Sequence, residues 1–235
     1  MDVLEATIRI CGEVTFTSRE VGRLADTQPY ILNTALYYAL GFVSGQYVDT
    51  AYKPNYVDDT AGLTELYVSP AAPVSDSAQN YITSTYNTTK GEYVEMNYSA
   101  QDDPNAKQNL PTYGRRRSLG QGTKLRFFII PRDQSIKEIR EQIPRYIRLG
   151  KKRGKARLDQ QKRTASRQAG EFRLTHPIGA YDHTDLPEGN IITKSMKPTP
   201  LIIQGDYRGE YLSIDRGKED RIRVPAGLTF LATKR

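Results

Sequence analysis

Two histidines are the candidate acid–base residues in this sequence of 235 amino acids. His176, in RLTHPIG, and His183, in YDHTD, could exchange protons in metal-independent cleavage of RNA, with Tyr181 or Lys194 as a partner close in sequence. Their spacing defines no geometry, and loop histidines without a special role are the more common case. We therefore predict no catalytic residue.

Metal chemistry has little support in the sequence. Cys11 is the one cysteine, which excludes an internal disulfide and a zinc site built from several cysteines. The acidic pairs Asp58–Asp59 and Asp102–Asp103 have no histidine beside them. We predict no metal and no cofactor.

Three consecutive arginines, Arg115, Arg116 and Arg117, are followed by a GQGTK segment that ends at Lys124. Arginine forks bind phosphate or a base edge, and a glycine-rich backbone can cradle an anion. The segment does not end in Gly-Lys-Ser/Thr, so it is not a mononucleotide P-loop. It predicts a basic turn that binds RNA, with a mobile, solvated hairpin tip as the alternative.

A second basic group surrounds Tyr146. A stacking ring among cations is typical of single-stranded RNA sites. A basic tail with weak, nonspecific affinity is the alternative. The predicted RNA-binding residues of this group are Arg145, Tyr146, Arg148, Lys151, Lys152 and Arg153.

Few apolar residues accompany the cations of 145–167, and glycines interrupt the segment. Mutual repulsion favours an open chain, so we predict that this segment becomes ordered only on assembly with a polyanion. Two further cations, Arg19 and Arg23, stand in an acidic stretch. They could reach RNA or pair with Glu20 and Asp26, and the sequence does not decide between these roles.

The charge distribution is one-sided. Residues 1–110 contain 6 basic and 14 acidic residues, residues 111–235 contain 28 and 13, and the segment 114–173 alone has 19 and 5. A field of this kind indicates a polyanionic partner, with the segment 114–173 as its binding face. The sequence contains no apolar run long enough for a membrane span and no signal-peptide pattern, so we expect no membrane contact and a cytoplasmic location.

Periodicity then predicts the elements that position these residues. Leu4, Ala6, Ile8 and Ile10 alternate with polar residues, as in a strand with one buried face. A helix is predicted from Thr27, with Pro29 in its first turn, to Gly41. Residues 44–113 are a polar, tyrosine-rich insertion with short strands at 65–68 and 80–86.

A strong strand is predicted at 124–130, followed by a short helix. Ser135 and Glu138 have the spacing of a capping box, and Pro144 ends the helix. The last sixty residues contain five strand-like runs: EFRLTH, PLIIQ, EYLSI, RIRV and LTFLAT. This order predicts an α+β fold with an antiparallel sheet.

At SREVGRLADTQPYILNTALYYALGFVSG (18–45) the chain resembles the Csc-one family, the Cas-five-like subunit of type I-D CRISPR Cascade complexes. LPTYGRRRSLGQGTKLRFFII (110–130) and IPRYIRLGKKRGKARL (143–158) resemble later segments of the same family. The resemblance covers three blocks within residues 4–158 and fades in the C-terminal β region.

The resemblance implies an RRM-like, ferredoxin-type core within a single Cas-five-like RNA-binding domain spanning residues 1–235. It also implies a subunit that grips the 5′ handle of CRISPR RNA, caps the ribonucleoprotein, and docks beside the backbone subunit and the large subunit. Target DNA is a further candidate partner. Type I-D systems normally have a dedicated processing endonuclease, so the resemblance indicates binding without catalysis.

We therefore predict a noncatalytic RNA-binding subunit that acts in antiviral defence. A metal-independent endoribonuclease that processes CRISPR repeat RNA is the alternative, and repeat cleavage by the pure protein would decide for it. A purely structural connector is a third interpretation, which an absence of RNA affinity in the free subunit would indicate.

Overall fold

The computed structural model describes residues 1–16, 18–21, 24–43, 56–74, 79–87, 113–151, 153–217 and 220–234. Three short α-helices are present among them: α1 (Asn33–Ala39), α2 (Tyr56–Asp59) and α3 (Ile136–Gln142), and a 3-10 turn covers Ala232–Lys234. The described strands are β1 (Asp2–Ile10), β2 (Arg19–Val21), β3 (Leu24–Asp26), β4 (Leu66–Val68), β5 (Ala72–Pro73), β6 (Tyr81–Asn87), β7 (Tyr113–Leu119), β8 (Lys124–Pro131), β9 (Tyr146–Leu149), β10 (Gly154–Arg173), β11 (Ile178–Gly179), β12 (Gly189–Lys194), β13 (Leu201–Asp215) and β14 (Arg221–Pro225).

The described strands form two sheets. The main sheet has ten strands in the order β11-β13-β10-β1-β8-β4, with β12 and β14 also paired to β13, β9 to β10 and β5 to β8. The second sheet has the order β2-β3-β7-β6, and its β3–β7 pair is parallel while the other described pairs are antiparallel. The predicted antiparallel sheet is confirmed: the described strands are mostly antiparallel and are accompanied by few helices.

The two faces of the main sheet carry separate cores. Leu4, Ile8 and Ile10 of β1 pack in one apolar cluster with residues of both α1 and α3. On the opposite face, Val3 packs in a second cluster with residues of the C-terminal strands β13 and β14. The C-terminal strands thus cover the end of β1 near Val3, whereas Arg9 at the other end is exposed.

Most predicted elements are confirmed. The strand alternation of β1, the strands β4, β6 and β8, and the helix α3 lie where the sequence places them. Ser135 and Glu138 form the expected reciprocal capping box, and α3 ends at Gln142, two residues before Pro144. Strand β4 pairs with β8, so this part of the predicted insertion belongs to the main sheet.

Two local predictions are wrong: the start of the first helix and the last strand. The helix predicted from Thr27 begins at Asn33, because Ile31 exchanges both backbone hydrogen bonds with Ala71 and the Thr27 hydroxyl binds the backbone of Phe16 instead of capping a helix. The run LTFLAT is not a strand. Its Leu231 amide bonds the Asp182 carboxylate, and the backbone then turns into the 3-10 helix.

The prediction of an open chain over 145–167 is also wrong. Residues Gly154–Arg173 form one 20-residue strand, β10, which pairs with β1 on one side and β13 on the other. Its few apolar residues suffice because Ala156, Leu158 and Ala165 are buried, whereas Lys162 is exposed and Arg157 and Arg163 are partly exposed and paired with carboxylates. The segment is ordered by its pairing with strands distant in sequence, which its local β propensity does not reveal.

Candidate nucleic-acid interface

One row of side chains crosses four strands of the main sheet. Tyr146 of β9 pairs with Arg157 of β10, Arg157 with Arg9 of β1, and Arg9 with Lys124 of β8. Directly paired residues share a face, so these four side chains lie next to one another; we call them the open row. Arg9 alternates with the buried Ile8 and Ile10, so the open row faces away from the helices.

The electrostatics of the open row favour an anion. Its three cations stand directly opposite one another on neighbouring strands, an arrangement that is repulsive by itself. Asp159 relieves part of this repulsion, since its Oδ2 accepts a hydrogen bond of 2.9 Å from Arg157 Nη2. That bond and the charge of Asp159 raise the pKa of Arg157. Arg9 and Lys124 form no ion pair of this kind with another described residue, so a polyanion along the row would complete the charge balance.

Tyr146 provides an aromatic surface at the outer end of the row. Its side chain is 45% exposed, although it lies in a strand. Lys155 Nζ lies 4.3 Å from the ring centroid, and the Arg145 guanidinium carbon lies 5.9 Å from it. Both contacts are in the range of cation–π attraction. A nucleic-acid base that stacks on the ring would take the place of one of these cations.

The β9–β10 hairpin extends the basic surface beyond the row. Arg148 pairs with Lys155 on the face of the open row, and both are exposed, as are Lys151 and Arg153 in the turn. Gly150 has φ +74° in this turn, and a Cβ there would collide with the backbone of Thr15. The glycine therefore lets the hairpin approach the segment that follows β1, where the Lys151 amide bonds the Thr15 carbonyl at 2.9 Å.

A buried ion network supports the sheet beneath the C-terminal strands. Glu5, only 5% exposed, accepts hydrogen bonds from Arg163 Nε at 2.5 Å and from Arg216 Nε at 3.2 Å. Arg126 Nε lies 2.8 Å from the same carboxylate. Burial, followed by the charge of Arg216, lowers the pKa of Arg126. Arg216 also pairs with Asp220, so three guanidiniums share two carboxylates.

The three predicted arginines of β7 lie on the second sheet, in a strand and not in a turn. Arg117 forms a bidentate ion pair with Asp26, in which Nε donates to Oδ1 at 2.6 Å and Nη2 donates to Oδ2 at 2.9 Å. Arg116 lies 3.7 Å from Glu13, and Arg115 is exposed. RNA binding by these residues stays a prediction, for which Arg115 is the accessible member.

The backbone amides of the glycines in the following turn are hydrogen-bonded within the protein. The Gly120 amide bonds the Asn80 carbonyl at 2.6 Å, and the Gly122 amide bonds the Ile10 carbonyl at 2.9 Å. Both donors are thus engaged with backbone, so the predicted anion cradle does not form from them. The turn instead connects the two sheets.

The structure therefore divides the predicted RNA-binding residues. Lys124, Tyr146 and Arg148 lie on one face, and Lys151 and Arg153 lie at its hairpin, whereas Arg115–Arg117 belong to the other sheet. Arg145 precedes β9. Arg19 lies in β2, where its backbone pairs with Asp26, while Arg23 and Lys152 lie outside the described residues.

Three residues of this surface were missed by reasoning from the sequence: Arg9, Lys155 and Arg157. A signal existed for each of them. Arg9 stands on the polar side of the alternating first strand, and Lys155 and Arg157 belong to the dense basic run after Gly150. The sequence does not reveal the strand register that aligns residues 9, 124 and 157.

Both histidines contact other groups of the protein. His176 is buried, and its Nε2 lies 2.9 Å from both the Ser69 hydroxyl and the Pro70 carbonyl. Burial is the main cause that lowers the pKa of His176 to about 3. His183 is half-buried and contacts backbone carbonyls of Asp185 and Ala226 through its two nitrogens.

In the part of the chain that the structure describes, no three His, Cys, Asp or Glu side chains are grouped so as to hold a metal ion. Likewise, none of the described helices is long and apolar enough to cross a membrane. Asp102 and Asp103, one of the two acidic pairs singled out in the sequence, lie outside the described residues.

Comparison with known proteins gives one family match. The model of the family described as type I-D CRISPR-associated protein Cas5/Csc1 matches residues 1–233. A search of curated proteins finds no significant match.

Solved structures of similar chains are distant. A CRISPR protein from Archaeoglobus fulgidus has 11% identity and a TM-score of 0.43, with 96% of this chain and 100% of that chain covered. A chain of the type III-B Cmr-beta complex bound to cognate target RNA and AMPPnP has 10% identity and a TM-score of 0.46, with 87% and 86% covered. A chain of the same complex bound to cognate target RNA has 10% identity and a TM-score of 0.43, with 90% and 86% covered.

Proposed function

The chain belongs to the family of type I-D CRISPR-associated Cas5/Csc1 proteins, and on that premise we propose that it is a noncatalytic subunit of a type I-D Cascade surveillance complex that binds the 5′ handle of CRISPR RNA. The observation that carries the RNA-binding part is the open row, in which Tyr146 and the cations of Arg157, Arg9 and Lys124 lie side by side. Cations would bind phosphates along the strand, and the ring would stack on one base.

The strand order supports an RRM-like, ferredoxin-type core as the binding scaffold. Strands β10, β1, β8 and β4 are neighbours in that order in the main sheet. Along the chain, β1, α1, β4, β8, α3 and β10 follow the β-α-β-β-α-β order of such a core, with shorter elements inserted between them. RRM domains bind single-stranded RNA on the sheet face, where aromatic rings stack on bases. Three members of the open row lie on this face.

The absence of catalysis is part of the proposal. Metal-independent RNA cleavage needs a base near the attacking 2′-hydroxyl, and His176 is buried away from solvent with a pKa of about 3. His183 Nε2 lies 3.2 Å from the Ala226 carbonyl, after β14, and is not in the open row. The backbone subunit and the large subunit of the complex are the proposed protein partners, and target DNA is a further candidate.

Binding of a 5′-handle RNA to the free subunit tests the RNA-binding proposal. The double variant Arg9→Gln/Lys124→Gln removes two cations of the open row that form no ion pair with another described residue. Fluorescence anisotropy at salt concentrations of about 50–300 mM should show weaker binding and a salt slope smaller by about 1.4, since each phosphate contact on a single strand contributes about 0.7. Tyr146→Ala should weaken binding by about 1–3 kcal/mol at every salt concentration.

The matched control is Arg208→Gln/Arg223→Gln, which removes two exposed cations from the C-terminal strands. Its salt slope should equal that of the unchanged protein. An open-row variant that behaves like this control would refute the assignment of the site. Arg115→Glu tests the accessible member of β7 separately, because reversing Arg117 as well would leave the buried Asp26 without its partner.

Incubation of the pure protein with repeat RNA tests the noncatalytic part. The RNA should remain intact with and without divalent metal. Specific cleavage that disappears in His176→Ala or His183→Ala would instead establish the endoribonuclease interpretation. A protein with no RNA affinity at all would point to the structural connector.

A further inference from the structure

A basic cleft lies on the helix side of the main sheet, between α3 and the strand β10. Its volume is about 720 Å³, within the range of about 300–1,000 Å³ that is usual for ligand sites. Ile143 and Leu158, both buried, form its floor, and Ile136 borders it. Gln160 and Lys162 follow Leu158 at every second position of β10, so they point to the same side as Leu158. Apart from Asp159, whose carboxylate pairs with Arg157 of the open row, the β10 residues that line the cleft lie on the face opposite the open row.

Cations exceed carboxylates in the cleft. Lys162 Nζ is paired with Asp2 at 2.7 Å, and the Asp159 carboxylate is paired with Arg157 at 2.9 Å, so these lining charges are compensated. The remaining lining charges are one carboxylate, Glu141, and three cations: Lys137, Arg140 and Arg145. Lys137 and Arg140 are exposed along the helix α3, and Arg145 follows it in the chain. An elongated ligand with several negative charges would balance this excess.

The lining also limits how such a ligand is recognised. None of the described side chains that line the cleft is aromatic, in contrast to the open row with Tyr146. The cleft offers cations for phosphates and an apolar floor for sugars, but no ring for base stacking. Recognition there would be independent of base sequence and sensitive to salt.

We propose that this cleft is a second binding site for the phosphodiester backbone of a nucleic acid, separate from the open row. Strand β9 is four residues long and forms an edge of the sheet among the described strands, since it pairs with β10 alone. A ligand passing from one surface to the other around this edge would cross that one short strand. Arg145 and Tyr146 are consecutive, with Arg145 lining the cleft and Tyr146 in the row. A strand bound on the row is therefore adjacent to the cleft, which favours a nucleic acid over an acidic peptide. The source of the backbone is either the same RNA, continued around this edge, or a separate DNA duplex.

The variant Lys137→Glu/Arg140→Glu tests the cleft in the full chain. Both side chains are exposed, whereas Ile139 between them holds α3 in the core, so the fold should be retained. An unchanged circular dichroism spectrum and urea midpoint verify this, and Lys137→Gln/Arg140→Gln serves as a milder second variant. Two fluorescent probes are titrated separately: single-stranded repeat RNA and an unrelated DNA duplex of about 20 base pairs.

We expect affinity for at least one probe to fall about tenfold or more at 100 mM salt. The salt slope should decrease by about 1.4 with the RNA or about 1.8 with the duplex, the values for two lost phosphate contacts. Loss with the RNA alone assigns the cleft to a continuing RNA strand, and loss with the duplex alone assigns it to a second nucleic acid; both support the proposal. The control Arg208→Glu/Arg223→Glu should bind both probes as the unchanged protein does.

Three results would overturn the proposal. One is a change below twofold with both probes, and another is an equal loss in the cleft variant and the control, which would reflect net charge alone. The third is a cleft variant that keeps its affinity for both nucleic acids but no longer binds fluorescent polyglutamate, which would assign the cleft to an acidic protein segment. The open-row variant Arg9→Gln/Lys124→Gln changes no cleft residue, so failure of one site is distinguishable from failure of the other.

Discussion

The buried histidine makes a quantitative prediction about the pH dependence of folding. His176 lies against Phe128, with the ring centroids 4.9 Å apart, and its Nε2 is 2.9 Å from the Pro70 carbonyl. A carbonyl only accepts, so Nε2 carries the proton of the neutral ring. Burial, with a smaller contribution from the charges of Arg126 and Arg216, lowers the pKa of His176 from 6.5 to about 3. The folded protein therefore keeps this side chain neutral throughout the neutral and mildly acidic range.

The sign of the effect follows from proton uptake. Below about pH 6.5 the unfolded chain binds a proton at this histidine and the folded protein does not, so stability falls as the pH falls. Between pH 7.5 and 5.0 the free energy of unfolding should drop by about 2 kcal/mol from His176 alone. The full gap between 6.5 and about 3 sets an upper limit of about 5 kcal/mol, reached only below pH 3.

Urea unfolding at a series of pH values between 7.5 and 5.0 measures this term. His176→Gln retains a side-chain donor for the Pro70 carbonyl but cannot titrate, so its stability should decline by about 2 kcal/mol less than that of the unchanged protein over this range. His183→Gln is the matched control and should keep the full decline. Parallel curves for the unchanged protein and His176→Gln would refute the reasoning. So would an NMR titration in which the His176 ring is protonated near pH 6 in the folded state.

Two further predictions concern the residues that support the open row. Glu5→Gln should destabilise the protein by about 3–5 kcal/mol in urea unfolding, because it leaves the largely covered guanidiniums of Arg126 and Arg163 without their buried carboxylate. A loss below about 1 kcal/mol would show that solvent already screens this network. Gly154→Ala should cost about 1–3 kcal/mol, because its Cβ would collide with the Glu13 carbonyl oxygen, whereas Gly12→Ala, with open space around the Cβ, should change stability much less; equal losses would contradict the close approach of β10 to that segment.

Local sequence patterns were sufficient to predict an element where its own residues determine its structure. The alternation of Leu4, Ala6 and Ile8 specifies a strand with one buried face and thereby puts Arg9 on the other face. The Ser135–Glu138 spacing specifies the start of α3, because both capping hydrogen bonds join residues three positions apart. The family was likewise readable from local motifs, and the match over residues 1–233 confirms it.

Local patterns failed where a distant partner competes. Thr27 and Pro29 have the residue types of a helix start, but Ile31 bonds to Ala71 and delays the helix to Asn33. The density of cations in 151–157 indicates an open chain when the segment is considered alone. Residues 154–157 are instead the start of β10: they pair with β9, and Ala156 and Arg157 also pair with β1 on the other side.

The sequence by itself determined that this chain is a basic protein of a CRISPR-associated family with an antiparallel sheet, because composition, alternation and motifs are properties of neighbouring residues. Only the tertiary structure decided which cations form a common surface. Arg9, Lys124 and Arg157 are far apart in the chain and meet through the registers of two strand pairs, and a shift of one residue would turn any of them to the other face. Arg117, equally basic in sequence, is instead held by Asp26, since the parallel pairing of β3 with β7 puts the two side by side.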